Sequence, residues 1–393
     1  MTFPLPYAPA ESVGLIPERL QRMTAVIERE IEGKAPGAAM LIARGGKIAY
    51  RQCVGRLIEG GPEMTDGAIF RIYSMTKPIV SVAAMTLVEE GRLSIVDPVS
   101  AFIPAFADMS VGVEKDGRLE LEKLRRQITV QDLFRHTSGL TYGFTGGSAV
   151  QKRYQAADVL TGSDKTAAAH AEAIAKLPLY CQPGTRFEYS VSTDVLGRIV
   201  EIVAGKPLSE VLRARIFEPL GMADTGFFTP KDKVERRAEP LSYDFMKAAQ
   251  IAPNNATSPP KFESGGGGLL STLADYTRFS AMLANGGTFN GERILGPRTL
   301  KFMASDHLDA TVDRSHFLLW PGHGFGLGFA VRVAPGLAPS AGSLGEYFWG
   351  GVMGTAFWIS PADDLFAVFM IQAPEHREYF RVLFRTLVYG AIA

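Results

Sequence analysis

The chain has 393 residues, of which 46% are hydrophobic and 21% charged, a composition typical of a soluble globular protein with a substantial core. Lysine plus arginine and aspartate plus glutamate both number 41, so the formal net charge is zero. This balance argues against a nucleic-acid or anionic-membrane partner, because either would require a basic excess.

The numbers and spacing of cysteines and histidines argue against two further classes, disulfide-built proteins and zinc proteins. Two cysteines, Cys53 and Cys181, exclude a fold built on disulfides and fit a reducing cytosol. The six histidines are scattered, without the ligand spacing of a zinc site, so we expect no metal and no organic cofactor. No signal sequence and no stretch of about 18 apolar residues is present, so we expect a cytoplasmic location and no membrane partner.

The N-terminal part of the chain carries alternating helix and strand signals. Residues 17–32 predict an amphipathic helix, and residues 38–43 and 47–54 predict two strands joined by a glycine-rich hairpin. A strand-like run over residues 68–73 then leads into a helix that ends at Glu90, where a glycine follows.

The middle of the chain is predicted to be mostly helical. One helix has a clear start, because Thr129 is followed three residues later by Asp132, which is close to a capping box, and Gly139 is predicted to end it. A second helix is predicted over residues 193–204, where a Gly-Lys-Pro sequence ends it.

The C-terminal part begins after four consecutive glycines at residues 265–268. A helix is predicted near residues 271–285 and a closing helix over residues 376–391. Four strand signals lie between them, at residues 324–333, 346–349, 355–359 and 365–371.

This order of elements predicts the domain organisation. Residues 1–95 and 246–393 form one discontinuous α/β domain that carries the sheet, and residues 96–245 form an inserted, mostly helical domain. We expect the active site in the cleft between the two.

The first chemical signal is the sequence Ser74-Met75-Thr76-Lys77, placed where a strand-like run meets a helix. Residues three apart on a helix share a face, so the Lys77 amine can take the proton of the Ser74 hydroxyl. A second Ser-x-x-Lys, from Ser258 to Lys261, contains two prolines that prevent a regular helical turn. Only the first copy has a suitable context.

Further segments appear in a fixed order along the chain. They are Leu133–Leu140, Pro183–Ser190 running on to Pro219–Met222, Tyr189-Ser190-Val191, and Trp349-Gly350-Gly351-Val352. Together with the Ser-x-x-Lys, this order resembles the serine β-lactamase and penicillin-binding-protein superfamily, and within it the class C β-lactamases and family VIII carboxylesterases. The resemblance covers nearly the whole chain and implies an antiparallel sheet flanked by helices.

The resemblance also implies roles for individual residues. Ser74 would be the nucleophile that forms an acyl-enzyme, and Lys77 and Tyr189 would share the proton. The backbone N–H groups of Ser74 and Val352 would form the oxyanion hole. The family often has asparagine two residues after the tyrosine, where this chain has Val191, so recognition of a β-lactam amide side chain is not expected.

The third segment bears on the substrate class. Related β-lactamases have Lys-Thr-Gly where this chain has Trp349-Gly350-Gly351, and an indole cannot pair with a substrate carboxylate as an ammonium does. Neutral esters are therefore favoured over carboxylated lactams. The glycines allow close approach of the strand to the ligand, and Tyr142 and Phe144 are candidates for the wall of an acyl pocket, with ordinary core packing equally open.

We therefore predict a carboxylesterase that cleaves small neutral esters, with a monomer and a homodimer both open. Alternatives with the same fold are a β-lactamase, an amidase or D-amino peptidase, and an acyltransferase. An alternative of another class is a non-catalytic penicillin-sensing module that is acylated once. His136 is interpreted as a structural histidine, and the Gly-x-Ser-x-Gly of an α/β-hydrolase is absent.

Overall fold

A seven-stranded antiparallel sheet forms the centre of the protein, in a computed structural model that describes residue 3 and residues 5–159, 165–242 and 255–393. The strands of the described chain, β1 to β13, are Gly37–Arg44, Lys47–Gly55, Phe70–Arg71, Ser110–Lys115, Arg118–Lys123, Leu270–Ser271, Thr288–Phe289, Glu292–Arg293, His323–Phe325, Ala330–Arg332, Tyr347–Gly350, Ala356–Ser360 and Leu365–Ile371. The strand order in the central sheet is β2-β1-β13-β12-β11-β10-β9.

Strands from opposite ends of the chain meet in the middle of this sheet. Strand β1 pairs with β13 from Ala38 opposite Ile371 to Arg44 opposite Leu365. Both strands are buried almost throughout, because helices cover both faces of the sheet. The predicted antiparallel sheet flanked by helices is therefore confirmed.

Helices cover the two faces of the sheet in different ways. In the described ranges they are α1 to α11, namely Pro17–Ile31, Thr76–Glu89, Val130–Phe134, Ala149–Ala156, Ala167–Ala175, Ser192–Ala204, Leu208–Leu212, Glu218–Leu220, Leu273–Ala284, Pro297–Met303 and Arg377–Tyr389. Helices α1 and α11 pack together on one face, and α9 packs on the other against β12 and β13.

The middle of the chain carries most of the remaining helices. Between residues 96 and 242 the described elements are helices and one hairpin, β4–β5, which the sequence analysis did not predict. A single hydrophobic cluster joins this part to the sheet. The predicted boundary between residues 245 and 246 lies outside the described residues, and the division into domains stays a prediction.

Helix α2 lies at the centre of the molecule. Every side chain from Thr76 to Leu87 is buried, and the helix packs along α6. A helix buried on all sides needs no polar face, which explains its nearly continuous apolar sequence. Ser258 and Lys261 lie in an irregular segment, as their prolines predict. Among the described residues, no helix is long and apolar enough to cross a membrane.

Helix α3 begins with the predicted capping box and packs against α6. The Thr129 side chain accepts from the Asp132 N–H, and Asp132 accepts from the Thr129 N–H. The fully buried Asp132 carboxylate also accepts from Arg126 and Arg135 and, at 2.8 Å, from the Thr137 hydroxyl. Burial by itself raises the pKa of Asp132, but these hydrogen bonds outweigh it, so the pKa is lower than usual.

We expect Asp132→Asn to lower the free energy of unfolding by about 2–4 kcal/mol at neutral pH, because two arginines and the cap lose a charged partner. Since the pKa of Asp132 is lowered by folding, its contribution is present above the unfolded-state value of about 4 and is lost as the pH falls through the folded-state value. Denaturant unfolding of both proteins between neutral and acidic pH measures this.

The matched control is Asp116→Asn, at an exposed hairpin position with a positive φ that asparagine also accepts. A stability difference between Asp132→Asn and the unchanged protein that stays constant down to pH 2 would contradict this account.

Candidate active site

Ser74 and Lys77 lie together at the start of α2. A short 3₁₀ turn over Tyr73–Met75 precedes the helix, and Tyr73 has a φ of 41°, a conformation uncommon for a bulky residue. Lys77 Nζ lies 3.4 Å from Ser74 Oγ, as the helical spacing predicts. Backbone strain of this kind persists only where the surrounding structure holds it, and it clusters at functional sites.

Lys77 is buried and has three polar neighbours. Besides Ser74 Oγ, its Nζ donates to the Gly266 carbonyl at 2.7 Å and to the Tyr142 hydroxyl at 3.2 Å. These partners offset the cost of placing an amine in the core. They also hold the amine within reach of Ser74, because the Gly266 carbonyl can only accept a hydrogen bond from it.

Gly266 belongs to the four consecutive glycines at residues 265–268, which by themselves predict only a break between two parts of the chain. Asp194 accepts from the Gly266 N–H at 2.9 Å and from the Ser264 hydroxyl at 2.6 Å. A side chain at Gly266 would lie 2.4 Å from the Asp194 carboxylate, so glycine is required there. Asp194 thereby fixes the carbonyl that holds Lys77, and no sequence signal marked this aspartate.

Tyr189 lies on the other side of Lys77. The centre of its ring is 4.5 Å from Lys77 Nζ, and its hydroxyl accepts from the Trp349 indole N–H at 3.2 Å. The contact between Lys77 and Tyr189 is therefore with the ring face, which attracts a cation. The predicted proton sharing between the two stays a prediction.

Of the two places left open for Tyr142, a pocket wall and the core, the structure has it in the core. It does not line the cavity beside Ser74 but lies behind Phe144, with ring centres 4.9 Å apart and its hydroxyl on Lys77. Burial, together with the charges of Asp194 and Tyr189, raises the pKa of Tyr142 well above its usual value. The hydroxyl therefore stays protonated at neutral pH.

The turn after β11 brings Val352 next to Ser74. A side chain at Gly351 would lie 2.3 Å from the Ile72 carbonyl, so only glycine lets the turn approach the segment that carries Ser74. Gly354 closes the turn with a φ of 105° and donates to the Gly351 carbonyl at 2.9 Å. The Val352 N–H has no hydrogen-bond partner among the described residues and is free to meet an oxyanion.

The cavity in front of Ser74 has a volume of about 370 Å³ and is mostly apolar. It is lined by Ser74, Phe144, Tyr189, Phe317, Leu318, Trp320, Phe348, Trp349, Gly350, Val352, Ala356, Trp358, Phe369, Arg377, Glu378, Arg381, Phe384 and Arg385. The predicted residues Phe144, Trp349 and Gly350 are in this wall, whereas Gly351 supports it from behind.

His136 and Val191 lie behind the site. His136 is buried, its ring centre is 4.7 Å from that of Tyr189, and its Nδ1 lies 3.3 Å from Ser190 Oγ. Burial and the nearby Lys77 charge lower the pKa of His136 well below its usual value, so the ring is neutral. Val191 is fully buried in the hydrophobic core.

The described residues contain no group of three or more histidine, cysteine, aspartate or glutamate side chains that could hold a metal ion.

Comparisons with known proteins identify the family. The family model Beta-lactamase matches residues 20–388. Protein Rv1367c of Mycobacterium tuberculosis is 37% identical over 352 residues, which cover 86% of this chain and 86% of that protein. Esterase EstB of Burkholderia gladioli is 31% identical over 362 residues, which cover 87% of each.

A solved structure is also similar. The chain superposes on EstCE1, described as a hydrolase with promiscuous acyltransferase activity, with a TM-score of 0.80 and 27% identity over 95% of this chain and 99% of that one. These relatives support a serine hydrolase. With the Ser-x-x-Lys turn, the buried amine and the adjoining strand in one site, the chain belongs to the beta-lactamase family.

Proposed function

We propose that this protein is a carboxylesterase that cleaves small neutral esters through an acyl-enzyme on Ser74. The observation that carries the proposal is the pairing of Ser74 Oγ with the buried Lys77 Nζ, 3.4 Å apart, at the wall of an apolar cavity. A serine hydroxyl is a weak nucleophile unless a base lies within reach, and this arrangement supplies one.

In the proposed acylation step, Ser74 Oγ attacks the ester carbonyl while its proton passes to the group formed by Lys77 and Tyr189. The N–H groups of Ser74 and Val352 stabilise the oxyanion, a contribution of roughly 3–4 kcal/mol for each donor in comparable sites. The proton then goes to the departing alcohol, leaving the acyl group on Ser74. Water then attacks the acyl group on Ser74, the proton moves in the opposite direction, and the carboxylic acid is released.

The cavity wall supports a neutral ester as substrate. Trp349 presents an indole at the position where related β-lactamases have a lysine, and its N–H is used by Tyr189. Val191 is a buried apolar residue at the position where the family often has asparagine. Esterase EstB, whose name describes ester cleavage, adds support from a relative.

Acyl transfer to an alcohol is the second candidate. The mostly apolar wall in front of Ser74 favours an organic acceptor over water, and EstCE1 is described as having promiscuous acyltransferase activity. Adding a short alkanol to an ester hydrolysis assay separates the two: a new ester in preference to the acid indicates transfer.

We expect intact-protein mass spectrometry after brief exposure to a p-nitrophenyl ester to show one added acyl group, mapped to Ser74 and absent in Ser74→Ala. The matched control is Ser258→Ala, in the other Ser-x-x-Lys, which should be acylated as the unchanged protein is.

Continued release of p-nitrophenol beyond one equivalent excludes the sensing module, whereas a burst that stops at one equivalent supports it. Faster turnover of an amide or a β-lactam than of any ester in the same assay would overturn the substrate class.

We expect Tyr189→Phe to reduce kcat/KM by about 10²–10⁴-fold, because it removes the hydroxyl proposed to move the proton. Tyr142→Phe should cost only about tenfold, since it removes one hydrogen bond to Lys77 and leaves the proton path intact. The paired variants differ by the same single oxygen, and steady-state kinetics on one ester compares them. The reverse order of losses would assign the proton transfer to Tyr142 instead.

A further inference from the structure

The cavity continues from the Ser74 side of β11 to the opposite face of the sheet. Phe348, Gly350, Ala356, Trp358, Phe369 and Phe384 line this second part, between the ends of β11 to β13 and helix α11. We call these six residues the α11 pouch.

The register of the strands explains why a hollow exists there. Side chains alternate along β11, so Trp349 faces Ser74 and its neighbours Phe348 and Gly350 face α11. Gly350 pairs with Ala356, and Ala356 pairs with Phe369. The two smallest residues thus lie side by side between much larger ones. The Arg381 guanidinium covers Gly350, where a side chain would lie 2.6 Å from it, so the space that opens to the cavity lies above Ala356.

The pairing of β11 also explains how the pouch connects to the nucleophile. Strand β10 pairs with β11 only at Tyr347 and Phe348, so the edge of β11 is unpaired from Trp349 onwards. Ser74 and Val352 lie on one side of this open edge and the pouch on the other, within one cavity. A substrate bound at Ser74 therefore has a route around the strand edge.

The chemistry of the walls defines the group that fits. Aromatic rings form most of the pouch, and the two arginines beside it are already charge-paired: Arg381 with Glu378 at 2.8 Å, and Arg385 with Glu346. Arg385 also lies between the Phe348 and Trp358 rings, at 4.7 and 4.6 Å from their centres. The charged groups beside the pouch are thus paired within the protein, while the Trp358 indole N–H and the Nε of Arg381 and Arg385 are buried without a hydrogen-bond partner among the described residues. The surface that remains for a ligand is mainly aromatic.

We propose that the α11 pouch binds an uncharged apolar substituent of the ester and that Ala356 limits its length. This inference rests on the proposed function, and it gives the substrate two apolar lobes, one on each side of β11. The substituent can belong to the acyl half or to the alcohol half, and two substrate series distinguish these sources.

The first experiment measures kcat/KM for p-nitrophenyl esters of increasing acyl length and for acetate esters of increasing alcohol length. In the series that occupies the pouch, we expect about fourfold gain per methylene until the pouch is full. Ala356→Leu should lower kcat/KM for the longer members about 10–100-fold relative to the shortest ester, mainly through KM.

Two further variants keep this test decisive. Ala356→Ser, which hardly changes volume, is the matched control and should keep the length profile of the unchanged protein. Ala356→Val gives an intermediate loss and replaces Ala356→Leu if thermal unfolding shows that the larger residue disturbs the sheet. A length profile that is the same in Ala356→Val and the unchanged protein, in both series, overturns the proposal.

A structural readout uses the unchanged protein. Crystal structures after reaction with p-nitrophenyl phosphonates that carry a hexyl chain, either on phosphorus or through an ester oxygen, should place one of these chains in the pouch. Both chains lying against Phe144 and Phe317 instead would refute the pouch while keeping Ser74 as nucleophile. Absence of any label on Ser74 would refute the proposed function itself.

Discussion

The burial of one amine is the constraint on which the rest of this site depends. Lys77 lies inside the protein, where a charged or polar nitrogen without partners would be costly. The Gly266 carbonyl, the Tyr142 hydroxyl and the ring face of Tyr189 surround it, and Ser74 Oγ completes the set. Each partner comes from a different segment, so the folded core decides where the amine points.

Hydrogen bonds from one arginine likewise fix the end of the strand beside the nucleophile. Arg381 reaches across Gly350 and donates to the Gly351 carbonyl and, at 3.4 Å, to the Thr355 carbonyl. A side chain at Gly350 would lie 2.6 Å from this guanidinium. Helix α11 thereby anchors the turn that carries Val352, one of the two proposed donors of the oxyanion hole. The last helix of the chain is in this way connected to the site of Ser74.

Much of the fold follows from local patterns that the sequence displays. Helix α1, the hairpin β1–β2 and the capped start of helix α3 were predicted from apolar spacing, glycines and the pair Thr129 and Asp132, and the structure confirms them. The predicted end of that helix at Gly139 is wrong, because α3 ends at Phe134. The hairpin β4–β5 was missed because it is largely exposed, so its strands lack a continuous apolar face. The sequence also predicts one strand over residues 324–333, whereas the structure has two short strands, β9 and β10, that pair with each other.

The sequence by itself determined that Ser74 and Lys77 share a helical turn, because three residues always bring side chains to one face of a helix. The sequence also predicted that Trp349, Gly350 and Val352 lie beside Ser74, and the structure has all three in the wall of the same cavity. Only the tertiary structure decided that Tyr142 contacts Lys77, that Asp194 fixes Gly266, and that the cavity extends beneath α11. Those contacts join residues far apart in the chain, and packing between elements, which has no local signature, sets their distances.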